Sequence, residues 1–352
     1  MPFLTSLPRG ICLFVACSLA FFPAPGHSAD RNAAQPCRVA LLLEHEGGDW
    51  VELLRAGLNR AEKDFPLHVT VLTVPPHEDQ QAVFRQAARE QDLVLVASDG
   101  FHEILRNNAA NFRQTKFGCI DAGIRAPNIM SVTFADEQAA FLAGAGAAIL
   151  TVATALPGVN SKKIVGWLSG EDIPALRSQL DGFSEGARLI DPETRVVAAN
   201  VGSFTDVESA RAKARELLDG GADVLVLAAG RGNAAALDLV RERGVYAIAV
   251  DMNRDKSLPG RVLTTIVKRV DKAVYDIVSA AAAGNFRGGE ISVYDLVNAG
   301  VEITDMATFK AAAGKNIPPD LERRLAELRG EILGGGIKLK SLRARTLCDC
   351  LE

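Results

Sequence analysis

Short apolar runs alternate with helical stretches along nearly the whole chain, and the plan is repeated twice. The first series has strand-like runs at 38–43 (RVALLL), 69–74, 93–97, 116–121 and 129–132, with helices predicted at 50–64, 80–90 and 103–108. The second has strand-like runs at 163–168, 196–200, 224–228, 246–250, 262–266 and 291–296, with helices at 180–189, 207–219, 234–243, 268–283 and 319–333. Buried runs separated by helices specify parallel sheets covered on both faces. Between the two series lies VTFADEQAAFLAGAGAAIL, 132–150. It reads as a strand end, a crossing and a helix whose start Asp136 can cap. Gly144 and Gly146 each cost about 1 kcal/mol relative to alanine in a helix, which points to close packing against another element. The stretch is therefore expected to be the first crossing between two lobes of an α/β protein; the alternative is an ordinary helix of one larger sheet.

A chain of 352 residues accommodates two domains of ordinary size. A net charge of −4 leaves no basic footprint for nucleic acid, and no polybasic run suggests a membrane surface. Arg9 is the only charged residue before Asp30, and an apolar run at 11–22 precedes Pro23, Pro25 and His27-Ser28-Ala29. This is the pattern of a cleaved export segment, 1–29, and places the mature protein in the periplasm. Lipidation at Cys17 is the alternative. Of the six cysteines, Cys12 and Cys17 fall in that segment. Pairing among Cys37, Cys119, Cys348 and Cys350 cannot be read from sequence. Cys119 reads as a buried strand residue.

Ligands of parallel sheets sit beyond the carboxyl ends of the strands. Here those ends carry Glu44, Asp49, Phe101, Asp121, Gly170, Phe204, Gly230 and Asp251. Asp49 also reads as an N-cap of the first helix. No serine elbow, H-E-x-x-H or Cys/His pairing is present, and the five histidines are scattered. No metal is implied. Gly230-Arg231-Gly232-Asn233-Ala234-Ala235 matches the dinucleotide turn, with Asp251 about 20 residues on. In an exported chain this short motif reads as a coincidence, and no cofactor is expected.

Several stretches together resemble one family. They are Phe134-Ala135-Asp136-Glu137 through Gly144, Val165-Gly166-Trp167-Leu168-Ser169-Gly170, Asp181-Gly182-Phe183, Gly202-Ser203-Phe204-Thr205-Asp206, Gly221-Ala222-Asp223-Val224, Val250-Asp251, and Val262-Leu263-Thr264-Thr265 through Lys268-Arg269-Val270-Asp271. The chain resembles the basic membrane protein family of bacterial ABC-transporter substrate-binding proteins, which includes purine nucleoside receptors. The resemblance implies a type I periplasmic binding protein, with two Rossmann-like lobes, three hinge crossings and a ligand in the cleft. It implies a first lobe of 37–136 plus 263–289, a second of 137–262 plus 290–340, and a tail at 341–352.

By the same resemblance, Trp50 and Phe204 would stack on either side of a purine. Asp251 would hold ribose hydroxyls, Gly230 and Lys268 would line the site, and Glu44 would be the first-loop acid. Val51 stands where the family has asparagine, and the first loop is shorter. The implied function is capture of a small aromatic solute, a purine nucleoside, for delivery to a membrane permease. The alternatives are a ligand-sensing partner of a membrane receptor and a periplasmic enzyme acting on nucleosides or sugars.

Overall fold

The computed structural model describes residues 35–314 and 317–339; the expected export segment 1–29 with Cys17, and the expected tail 341–352 with Cys348 and Cys350, lie outside them. The first series forms β1 (Cys37–Leu43), α1 (Asp49–Asp64), β2 (Leu67–Thr73), α2 (Gln80–Glu90), β3 (Leu93–Val96), α3 (Asp99–Asn108), β4 (Lys116–Ile120) and β5 (Ile129–Phe134). The second forms α4 (Asp136–Thr151), β6 (Ile164–Ser169), α5 (Pro174–Ile190), β7 (Arg195–Asn200), α6 (Val207–Asp219), β8 (Ala222–Ala228), α7 (Asn233–Arg243), β9 (Tyr246–Asp251) and β10 (Val262–Lys268). The chain ends through α8 (Val270–Ala282), β11 (Ile291–Tyr294), β12 (Val301–Ile303), α9 (Ala307–Ala313) and α10 (Leu321–Leu333).

Two six-stranded sheets result, ordered β11-β5-β4-β3-β1-β2 and β12-β10-β9-β8-β6-β7. Each position in one sheet has its counterpart in the other. The first sheet is parallel throughout, whereas β12 runs antiparallel to β10. The sequence explains the strands directly: β1, β3, β6 and β8 are runs of aliphatic residues buried on both faces.

The chain crosses between lobes three times: at Ala135 between β5 and α4, at Arg269 between β10 and α8, and between β11 and β12. Two stretches differ from the expected boundaries. Residues 263–268 pair within the second sheet, and the chain enters the first lobe only with α8, which packs on α1 and β4. Residues 291–294 pair with β5 in the first sheet instead of belonging to the second lobe. Both crossings follow a strand's carboxyl end, and hydrophobic pattern reveals a strand without revealing its sheet.

Helix α4 is apolar around its circumference and almost wholly buried, as such a helix must be. It lies against α5 with backbone touching backbone. A Cβ on Gly144 would come within 2.0 Å of the Phe183 carbonyl oxygen. One on Gly182 would meet that of Glu137 at 2.3 Å, and one on Gly186 that of Phe141 at 1.9 Å. Gly146 makes only ordinary contacts, with Leu263 and Leu325. Asp136 does not cap α4; it is the first helical residue and is buried.

Candidate functional site

The carboxyl ends of both sheets face a cavity of about 490 Å³, within the range of small-molecule sites. Trp50, Phe204, Asp251, Lys268, Gly230, Glu44, Asp49 and Asp121 all line it. Phe101 does not. Helix α3 begins at Asp99, four residues before the expected start, so Phe101 falls in its first turn. There it is 0% exposed and belongs to the core of the first lobe.

Phe204 is presented by a turn that the sequence builds locally. Ser203 Oγ accepts from the Thr205 and Asp206 amides at 3.1 and 3.3 Å. Asp206 caps α6, accepting from the Ser209 amide at 3.0 Å. The ring sits against Gly170, where a Cβ would come within 2.3 Å of it. Gly230, at φ +58°, leaves room for the Phe204 carbonyl, which a Cβ would approach to 2.7 Å. The ring nearest to facing Phe204 across the cavity is His45 of the first lobe, tilted against it with centroids 5.8 Å apart and planes 33° from parallel. Trp50 instead lies beside the Lys268 ammonium, 5.3 Å from its ring centre.

Lys268 ends β10 at the second crossing and is 2% exposed. Its Nζ donates to both oxygens of Asp121 at 2.9 Å and lies 2.9 Å from Asp136 Oδ1. The expected ligand lysine is thus committed to two carboxylates of the chain. Asp121 and Asp251 occupy matching positions, just after β4 and at the end of β9, each in the left-handed conformation with φ 71°. Asp251 has no side-chain hydrogen bond among the described residues and remains partly open to the cavity. Desolvation pushes its pKa up to about 7, with Asp49, Asp136 and Asp121 adding to the rise and Lys268 opposing it.

At the rim, Asp49 is the first residue of α1 and Gly48 is its N-cap, so Asp49 is free of a capping role. Its carboxylate pairs with Arg254 of the second lobe, through Nε at 3.1 Å and through Nη2. Glu44 is held by Gln80, whose amide donates to it at 3.2 Å. Gly48 rests against the backbone of Gly230 and Arg231. The dinucleotide-like turn is therefore covered by the opposite lobe.

Four buried side-chain atoms without a hydrogen-bond partner among the described residues, His45 Nδ1, Ser98 Oγ, His102 Nδ1 and Gln179 Oε1, belong to residues lining this cavity; of these, His102 Nδ1 lies 3.5 Å from Asp99 Oδ1. Sequence reading missed all four. His45 follows Glu44 directly and His102 lies three residues after Asp99, but isolated histidines carry little signal. Gln179 fell before the expected start of its helix; Pro174, at the first helical position, marks the true one.

Residues 46–320 match the family model described as ABC transporter substrate-binding protein PnrA-like. The chain belongs to this family. Among curated relatives, the ABC transporter nucleoside-binding protein BmpA of Lactococcus lactis is 28% identical over 72% of this chain and 73% of its own length. An uncharacterized lipoprotein of Pyrococcus abyssi is 27% identical over 84% of this chain and 78% of its own. The solute-binding protein of an ABC transporter system from Aeropyrum pernix superposes with a TM-score of 0.79 at 25% identity, over 87% of this chain and 94% of its own. The chain is thus an ABC-transporter substrate-binding protein with the two-lobed periplasmic binding fold, in a family whose members bind solutes for a permease.

Proposed function

We propose that the protein is exported and captures a purine nucleoside in the interlobe cavity for delivery to its permease. The observation that carries this reading is the convergence, on one cavity that also holds Phe204, His45 and Trp50, of four buried polar atoms that make no hydrogen bond among the described residues. Buried polar groups need partners, and aromatic faces supply apolar area for a heterocycle. Asp251 accepts sugar hydroxyls. Glu44, Asp49, Asp121, Gly230 and Lys268 complete the wall. The nucleoside-binding relative supports the choice of ligand. Ligand contacts to both lobes favour the closed arrangement.

The chain has two tryptophans. Trp167 is 1% exposed in the second lobe's core, whereas Trp50 faces the cavity. Adding adenosine or guanosine to the mature protein is expected to change its emission saturably, and Trp50→Phe should remove most of the change. Calorimetry showing no heat with either nucleoside would overturn the reading. Intact mass is expected to place the mature start near Asp30. Relatives named as lipoproteins favour a second reading, a diacylglyceryl group on Cys17, which the same spectrum would reveal.

A further inference from the structure

Along the inner wall of the cavity, hydrogen bonds, an ion pair and one peptide link connect His102 of the first lobe to Gln179 of the second. His102 Nε2 lies 2.8 Å from the carbonyl oxygen of Ile120. The next residue, Asp121, accepts from Lys268, and Lys268 pairs with Asp136. Gln179 Nε2 donates to Asp136 Oδ1 at 3.4 Å. His102 and Gln179, only 5% and 2% exposed, end this path with one atom each, Nδ1 and Oε1, that makes no hydrogen bond among the described residues; Nδ1 lies 3.5 Å from Asp99 Oδ1.

The partners fix what those atoms offer. A carbonyl oxygen only accepts, so His102 Nε2 carries the hydrogen, and in that tautomer Nδ1, which lies 3.5 Å from Asp99 Oδ1, is an acceptor. A carboxylate only accepts, so the Gln179 amide nitrogen faces Asp136 and its oxygen faces away. Around them, seven carboxylates and one lysine line the cavity, and that lysine already serves Asp121 and Asp136.

We propose that His102 and Gln179 are specificity-determining acceptors: the site selects an uncharged or cationic solute that presents N–H or O–H groups to the inner wall, and it rejects phosphorylated forms. This rests on the nucleoside reading and narrows it. A solute lacking the donor leaves a buried acceptor unsatisfied, and a phosphate meets carboxylates while the one cation among the described lining residues is already engaged.

The test is calorimetry on the mature wild-type protein with five solutes: adenosine, guanosine, purine riboside (which lacks every base donor), 3′-deoxyadenosine and adenosine 5′-monophosphate. At least one of purine riboside and 3′-deoxyadenosine is expected to bind roughly 5- to 150-fold more weakly than adenosine, matching one unsatisfied buried acceptor; which one does so assigns the donors to base or sugar. The monophosphate should bind at least about tenfold more weakly. Gln179→Met or His102→Phe should then erase that discrimination, weakening adenosine while leaving the poorer comparator unchanged, a pattern that general destabilisation would not produce. Equal affinity for adenosine and both comparators, or undiminished binding of the monophosphate, would overturn the inference while leaving the nucleoside reading intact. No binding by any of the five would end both.

Discussion

Asp121 and Asp251 hold the same place in two copies of one architecture, and they are used in opposite ways. Each follows or ends the fourth strand of its lobe's series, and each adopts φ 71°, a conformation that aspartate tolerates better than most residues. In the first lobe the carboxylate takes two hydrogen bonds from a buried lysine and becomes part of the hinge. In the second it takes none among the described residues and faces the cavity with a raised pKa. The fold therefore supplies the strand-end acid twice, and the single lysine at the second crossing decides which copy is structural. What differs is the partner, not the backbone.

Removing that lysine should give the largest effect. Lys268→Ala leaves two buried carboxylates without their cation, a loss of about 3–5 kcal/mol for breaking a buried pair. Denaturant unfolding is expected to show it even without ligand. A variant as stable as wild type would erase the distinction between the hinge acid and the cavity acid. Phe204→Ala should act on the other side of the comparison: affinity for a nucleoside falls by about 1–3 kcal/mol if base stacking is a guide, and unliganded stability barely changes. A melting temperature that falls with unaltered affinity would place Phe204 with the core.

The strands, the doubled plan and the strand-end acids were legible because they rest on local pattern: aliphatic runs, period and turn residues. Which sheet a strand joins was not, since the pattern marks β10 and β11 as strands and only pairing assigns them to a sheet. Gly144 announced a close contact through its cost in a helix, but the matching roles of Gly182 and Gly186 on α5 emerge only when the two helices are seen to touch. Phe101 was misplaced by a helix start wrong by one turn. Asp49 and Asp136 stand out at helix starts and Lys268 at a strand end, but neither aspartate caps its helix, and their ion-pair partners lie far off in sequence, beyond the reach of any spacing rule.

The pH dependence of binding tests Asp251 itself. Its pKa in the folded protein is raised from 3.8 to about 7, so between those values the folded state binds more protons than the unfolded chain. Its contribution to unliganded stability therefore declines as pH rises from about 4 to 7. Binding runs the other way, because an ionised carboxylate accepts sugar hydroxyls better than a protonated one. Affinity is expected to increase from pH 6 to 8, and Asp251→Asn should flatten that slope and weaken binding at pH 8. Asp121→Asn should instead reduce stability. A profile that stays sloped in Asp251→Asn would assign the titration to another group.

The smallest effect belongs to the second pair that joins the lobes. Arg254 and Asp49 meet at the rim, and the arginine side chain is 39% exposed, whereas Lys268 sits at the hinge and is buried. An ion pair open to water contributes about 0–1 kcal/mol and is screened by salt. Its place matters more than its strength, because the rim pair joins α1 of the first lobe to the β9–β10 segment of the second across the mouth of the cavity, where opening the cleft would separate the two residues. Arg254→Ala should leave denaturant stability within about 0.5 kcal/mol of wild type. It should speed ligand release about two- to fivefold, a modest shift in the closed population of under 1 kcal/mol, and the same change should follow from raising salt in the wild type. Stopped-flow Trp50 fluorescence reads this directly. Release that is unchanged by the substitution and by salt would mean that the rim pair does not hold the cleft shut, leaving closure to the ligand and to the His45–Phe204 contact.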